Sequence, residues 1–576
     1  MSVEPRCDSG GVLSFDLTSQ PWLPVQLTTG EEALFSLREI FVRAQEVRRL
    51  SGELPTLEFS LTRLLLAVLH DALDGPRDLD SWADLWRDPD SFAATDGYLT
   101  EHCERFDLLH PVSPFFQTVG LRSASGEVFS LNRIVADVPN GVPFFTTRLP
   151  GVERLSFAEA ARWVVHAQAY DTSGIKTGVV GDPRAKGGKA YPQGVAWAGN
   201  LGGVLAEGTT LRETLLLNLI ATDHQPPQSE DQPAWRRPPT SPGAAGDLSV
   251  RPSGPRDLYT WQSRRLLLHS DADGVYGVVL TYGDPLAVQN KYLREPMTSW
   301  RRSQAQEKKL QQPLVYMPHE HDPARAAWRG MEALITPGDS DASTRVEPAS
   351  DVRPGIVDWL ARLQAERILH QGLRLRIRTF GAVYGTQQSV IDETTSDAVS
   401  LALFLLSDTD PVPGQTAVAA VADADRAALA IGDLAFDLAR AAGSTSESRK
   451  LAARAAAYAA LDGPYRLWLD AMAEGDDPQQ LRADWQHTAR RIISHLADDV
   501  INAVGEASRQ GRLVPTAKGW TWLNAERATL WFNSRLDRAL PLATTRAGAL
   551  NAAQVVPAHQ PDNIAHAGVG SRRLPV

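Results

Sequence analysis

Four consecutive residues, His319, Glu320, His321 and Asp322, bring together side chains that commonly hold a divalent metal. Two imidazoles on one helix reach one metal when they stand four residues apart, as in H-E-x-x-H, and here they stand two apart. The cluster therefore reads either as a solvated turn or, in a rival reading, as the centre of a soluble metal-dependent hydrolase. A phosphate-cradling loop needs Gly, four residues, then Gly-Lys-Ser/Thr, so that backbone amides surround the phosphates and a hydroxyl holds magnesium. Gly187-Gly188-Lys189-Ala190 lacks the earlier glycine and carries alanine in place of the hydroxyl. There is no G-x-S-x-G nucleophile elbow, and Cys7 and Cys103 lie in no setting that marks a nucleophile. Carboxylates such as Asp423, Asp425 and Asp433 are too common to be diagnostic. No catalytic residue, metal site or cofactor is expected.

A different chemistry is open to three other stretches. Residues 174–208, GIKTGVVGDPRAKGGKAYPQGVAWAGNLGGVLAEG, are rich in glycine and read as a long irregular loop, which often serves a function. Lys291, Arg294, Arg301, Arg302, Lys308 and Lys309 outnumber Glu295 and Glu307, giving either a basic patch or an ordinary solvated face. Gln387 and Gln388 interrupt two alternating segments, LRLRIRTFGAVY and VIDETTS, as residues at or near a hairpin tip do.

The elements that must position these stretches are also legible. Leu61–Leu73 carries the leucines of a largely buried helix, and Tyr259–Leu268 and Val275–Tyr282 read as strands. Ser156 with Glu159 and Thr210 with Glu213 have capping-box spacing, so helices are expected to flank the glycine-rich loop. The prolines of 222–256 exclude a regular helix or central strand there. Gly355–His370 has helical spacing, and alanine-rich segments near 414–442, 446–474, 478–509 and 520–540 suggest a four-helix bundle. The fold class is thus α+β: a mixed α/β N-terminal domain over 1–390, a C-terminal four-helix bundle over 391–543 and a flexible tail over 544–576.

The 576 residues carry 43% apolar side chains, ample for sizeable cores, and a net charge of -11, which argues against indiscriminate coating of nucleic acid. No run of roughly 18 to 20 apolar residues marks a membrane span, and MSVEPRCDSGG has no signal-peptide pattern. A cytoplasmic protein with no membrane partner is expected, and two cysteines fit a reducing compartment.

Several segments in order resemble one family. They are Trp22-Leu23-Pro24-Val25, His110-Pro111 with Phe116-Gln117-Thr118, the stretch from Leu211 to Asn218, Asp231-Gln232-Pro233-Ala234-Trp235 and Tyr259-Thr260-Trp261-Gln262, followed by a helical bundle. With these the chain resembles CasA, the large subunit of the type I-E CRISPR surveillance complex Cascade. The resemblance implies a noncatalytic subunit that works with other Cascade subunits and the CRISPR guide RNA. It would inspect double-stranded target DNA for the protospacer-adjacent motif, help open the duplex and recruit a helicase-nuclease.

The resemblance also implies site residues. A glycine loop at Ser173, Gly174, Lys176, Thr177 and Gly178 would approach the motif's minor groove, although it departs from a run of consecutive glycines; the alternative is a structural connector in a purely structural scaffold subunit that never touches DNA. Lys291, or Arg294 beside it, would be the minor-groove cation. Gln387 and Gln388 would form the wedge that separates the first base pair; on spacing alone they are a polar turn. Asn140, Phe144, Phe145 and Thr146 would contact the guide RNA or a neighbouring subunit, by stacking or by filling a pocket, the alternative being this subunit's own core.

Overall fold

The computed structural model describes residues 13–136, 151–225, 230–335, 349–370, 372–516 and 519–544. The chain divides into two compact units, one of residues 1–421 with 462–478, the other of 422–461 with 479–576. Among the described residues no helix is long and apolar enough to cross a membrane.

The first unit is built around α1 (Pro55–Ala72), in which leucines at nearly every turn position leave no polar face, so the helix is buried on all sides. Helix α2 (Phe157–Tyr170) begins at the Ser156–Glu159 capping box expected from the sequence and packs on α1. The glycine-rich stretch that follows is more ordered than its composition predicts. Two short strands, β1 (Lys176–Thr177) and β2 (Lys189–Ala190), pair antiparallel, and its last residues form β3 (Gly203–Glu207). Periodicity fails here because two-residue strands are too short to show it.

Helix α3 (Leu211–Leu217) starts at Thr210, whose hydroxyl accepts from the Glu213 N–H; the Glu213 carboxylate accepts from the Thr209 N–H, one residue earlier than a capping box requires. Asn218, at its end, clamps the edge of β3 through both amide atoms, at 3.0 Å from the Ala206 N–H and 2.7 Å from the Ala206 carbonyl. Strands β4 (Arg264–Asp271) and β5 (Gly274–Tyr282) pair antiparallel. Tyr259, expected to open the first strand, instead ends a short helix that Pro255 begins.

The expected hairpin is present as β6 (Arg374–Tyr384) and β7 (Ile391–Ala402), and β6 is the middle strand between β7 and β3. Residue 390 thus falls inside a hairpin, and the strand after it belongs with the sheet before it. Phe380 of β6 stacks on Phe59 of α1 at 5.3 Å, fixing the sheet to the buried helix.

Four long helices follow: α4 (Val412–Ala441), α5 (Ser448–Ala471), α6 (Pro478–Asn502) and α7 (Ala525–Ala539). Within the second unit Asp423 is fully buried and accepts from Arg482 Nε at 2.9 Å and Gln486 Nε2 at 2.8 Å, an internal ion pair. The start of the expected 520–540 helix is a strand, because Arg512–Thr516 and Gly519–Leu523 pair as β8 and β9 before Asn524 caps α7.

Candidate nucleic-acid interface

Helix α2 delivers the chain to Asp171, and the residues after it are held from several sides. Lys176 Nζ lies 2.6 Å from the Asp171 carboxylate, and Arg264 Nε of β4 donates to the same oxygen. Both cations and the carboxylate are buried. Burial alone would raise the Asp171 carboxyl, but Lys176 and Arg264 outweigh it and hold it below its ordinary range. Burial lowers the Lys176 ammonium, against the pull of Asp171. The Tyr282 hydroxyl, at the end of β5, binds Gly174 twice, accepting from its N–H at 3.0 Å and donating to its carbonyl at 2.6 Å. Thr177 accepts from Arg133 Nη1 at 2.6 Å. At Gly178 a Cβ would come within 2.7 Å of the Gly188 backbone, so only glycine permits the β1–β2 approach.

The hairpin tip meets this loop directly. The Ser173 N–H donates to the Gln388 carbonyl at 2.7 Å, and a Cβ on Gly174 would touch Ser389 at 3.6 Å. The tip is a tight turn in which Gly385 donates to Val390 at 3.0 Å and Gln388 to Gly385 at 2.8 Å. Both glutamines take left-handed backbone conformations, with φ of 56° at Gln387 and 54° at Gln388. Such conformations cost a non-glycine residue about 1–2 kcal/mol each, and surrounding bonds must hold them. Their side chains are exposed and, among the described residues, make no hydrogen bond to the protein. Below the tip, the Tyr384 hydroxyl donates to the Tyr170 carbonyl at 2.7 Å, so the end of α2 braces the hairpin too.

Lys291 and Arg294 occupy another neighbourhood. They sit in a turn whose end, Glu295, is fully buried, receiving Arg63 of α1 at 2.8 Å on each oxygen and Trp197 Nε1 at 2.7 Å. Arg294 donates to the Pro252 carbonyl. Lys291 is half-buried and has no ion pair among the described residues; burial, then Arg294, push its ammonium below the ordinary value. Among the described residues neither shares a hydrogen bond or ion pair with 173–178 or 387–388. Asn140, Phe144, Phe145 and Thr146 lie outside the described residues.

His319 and His321 line a polar cavity of about 560 Å³. The His321 Nε2–H donates to the Gly203 carbonyl at 3.0 Å, and burial lowers both imidazoles. Among the described residues no three His, Cys, Asp or Glu side chains gather as a metal site.

A family model for the CRISPR-associated protein Cse1 matches residues 16–496. The chain belongs to the CRISPR-associated Cse1 family, also called CasA. The sequence resemblance is thus borne out, and its mixed helix-and-sheet fold is that of the family. The Cse1 of Thermobifida fusca is 55% identical, with a TM-score of 0.85 over 92% of this chain and 99% of that one. The CasA/Cse1 protein of Thermus thermophilus is 30% identical over 66% of this chain and 70% of its own length. A chain of a CRISPR RNA-guided surveillance complex, 19% identical, shares the fold with a TM-score of 0.58 over 84% of this chain and 98% of that one.

Sequence reasoning placed Ser173, Gly174, Gln387 and Gln388 without foreseeing that they meet. It missed Asp171, Arg264 and Tyr282, which fix the loop. Tyr282 closes a segment read correctly as a strand, but its partner Gly174 is 108 residues away, beyond any local signal.

Proposed function

We propose that this chain is the noncatalytic, motif-reading subunit of a Cascade complex, working with the other subunits and the guide RNA. In this reading it recognises a protospacer-adjacent motif in double-stranded DNA, helps open the duplex beside it and then recruits a helicase-nuclease. The observation that carries the reading is the Ser173–Gln388 hydrogen bond, which joins the glycine loop to the hairpin tip. A reader of the shallow, shape-dependent minor groove needs backbone that can approach closely, and a wedge must be held rigidly while it pushes between bases. Gly174 supplies the approach, and Ser173, buried beside it, fixes the tip. Gln387 and Gln388 supply free amides on a turn locked by its own hydrogen bonds.

Lys176 and Thr177 act from inside in this scheme, because Asp171 and Arg133 engage their polar atoms. Lys291 remains available as the cation, with Arg294 tied to Pro252. The loop containing Asn140, Phe144, Phe145 and Thr146 is assigned to the guide RNA or a neighbouring subunit. The test is binding of the assembled complex to duplexes differing only in the motif, with wild type and with Gly174→Ala and Gly178→Ala. The reading expects loss of motif discrimination in the variants. Unchanged discrimination would remove the glycine loop from recognition.

A further inference from the structure

The second unit carries an aromatic face with no partner among the described residues. In the β8–β9 register Leu513 stands opposite Trp522 and Pro515 opposite Trp520, so all four share one side of the hairpin. That side faces solvent: Trp520 is 71% exposed, Leu513 57% and Trp522 51%, whereas Val514 and Leu523 on the other side are buried. Two large indoles left in water on adjacent same-side positions are unusual for a surface without a ligand. The presentation is firm. Trp522 Nε1–H donates to the Gln510 carbonyl at 3.2 Å, Arg527 donates to the Trp522 carbonyl at 2.9 Å, and Arg440 donates to the Pro515 carbonyl at 2.7 Å.

The charge around this face selects the occupant. Arg509 and Arg527 are exposed, and neither has a carboxylate within ion-pair distance among the described residues. Arg512 stands opposite Leu523 on the other side and donates to the Ala441 and Ala442 carbonyls at 3.2 and 2.8 Å, at the C-terminal end of α4, so it lies outside this rim. Across 505–527 the residues Arg509, Arg512, Lys518 and Arg527 outnumber Glu506 and Glu526, in a chain whose net charge is -11. Trp520 and Trp522 are two residues apart on one strand, about 7 Å along it, close to two base rises of a stacked strand. Exposed aromatics on a sheet, rimmed by unpaired guanidiniums, make a stacking platform with phosphate contacts, indifferent to base identity.

We propose that the β8–β9 hairpin binds single-stranded DNA, with bases stacked on Trp520 and Trp522 and phosphates against Arg509 and Arg527. The choice of DNA over RNA rests on the duplex opening proposed above; the platform itself does not. The test uses the full-length chain and a fluorescent oligothymidylate that carries neither motif nor duplex, so its outcome is independent of motif reading. Fluorescence anisotropy should give at least about tenfold weaker binding for the double variant W520A/W522A, and near-normal binding for W520F/W522F, which keeps the stacking rings. A 5-iodouracil version of the strand should cross-link wild type within 509–527, a readout that survives if the alanine variant fails to fold. Three results would overturn the proposal: cross-links only outside that segment, tighter binding of the matched oligouridylate by about tenfold or more, or a folded alanine variant that binds the strand normally yet fails to assemble with its protein partners.

Discussion

The Ser173 amide donates to the Gln388 carbonyl across 2.7 Å, joining a loop that leaves α2 to the tip of a hairpin more than 200 residues later. The bond uses only backbone atoms, so it leaves both glutamine side chains free while fixing where they project. Tyr282 does the same for Gly174, with one hydroxyl meeting both its N–H and its carbonyl.

The buried charges beneath the loop should be the most fragile part of this assembly. Asp171→Asn leaves Lys176 and Arg264 without their carboxylate, and breaking one partner of a buried pair costs about 3–5 kcal/mol. Urea unfolding of the purified variant checks this. Adding Lys176→Met to Asp171→Asn should recover part of the loss, because one unpaired charge is then gone.

Acid should weaken the fold well above the range of carboxylate protonation. Burial pushes His166, whose Nε2 lies 2.9 Å from the Thr56 hydroxyl, from 6.5 down to about 4. Between those values the unfolded chain binds a proton that the folded chain does not, so stability falls as pH drops through that window, by up to about 3 kcal/mol. His70, pushed down to about 3, acts with the same sign. Unfolding midpoints between pH 7 and pH 4.5 measure the slope, and His166→Gln should reduce it, leaving the share of His70.

Much of this was legible in the sequence, for reasons that differ from residue to residue. The Ser156–Glu159 capping box and the β6–β7 alternation are local patterns, and each led to the right element. Several residues carrying the family resemblance prove to be buried polar anchors. Asn218 clamps β3, Trp261 Nε1 donates to Asp284, and Gln117 ties Leu108 to Leu268. Their roles are structural, which is why they identify the family but do not mark the site. The ion pair of Asp171 with Arg264 joins residues 93 apart, and no periodicity reports such a partner. Most of β9 falls at the start of the segment expected as helix over 520–540, because the helical pattern of α7 dominates that window.

Lys291 should reveal itself through salt. A lysine that contacts phosphate releases about 0.9 of a counterion, so Lys291→Gln should reduce the slope of log affinity against log salt by about 1 for complex binding to a motif-bearing duplex. Titrations between 50 and 200 mM salt, roughly the range over which such slopes are read, provide the comparison. An unchanged slope would place this cation away from the backbone.

The central claim, that the glutamine tip opens DNA, is tested most directly by Gln388→Gly. Glycine adopts the left-handed conformation without strain, so the tip keeps its shape and folding stability should hold or rise by about 1 kcal/mol. Opening is followed in the assembled complex by fluorescence of 2-aminopurine at the first base pair beside the motif. Motif-dependent binding should persist while the fluorescence rise is lost or strongly slowed. A rise equal to wild type in rate and amplitude would contradict it.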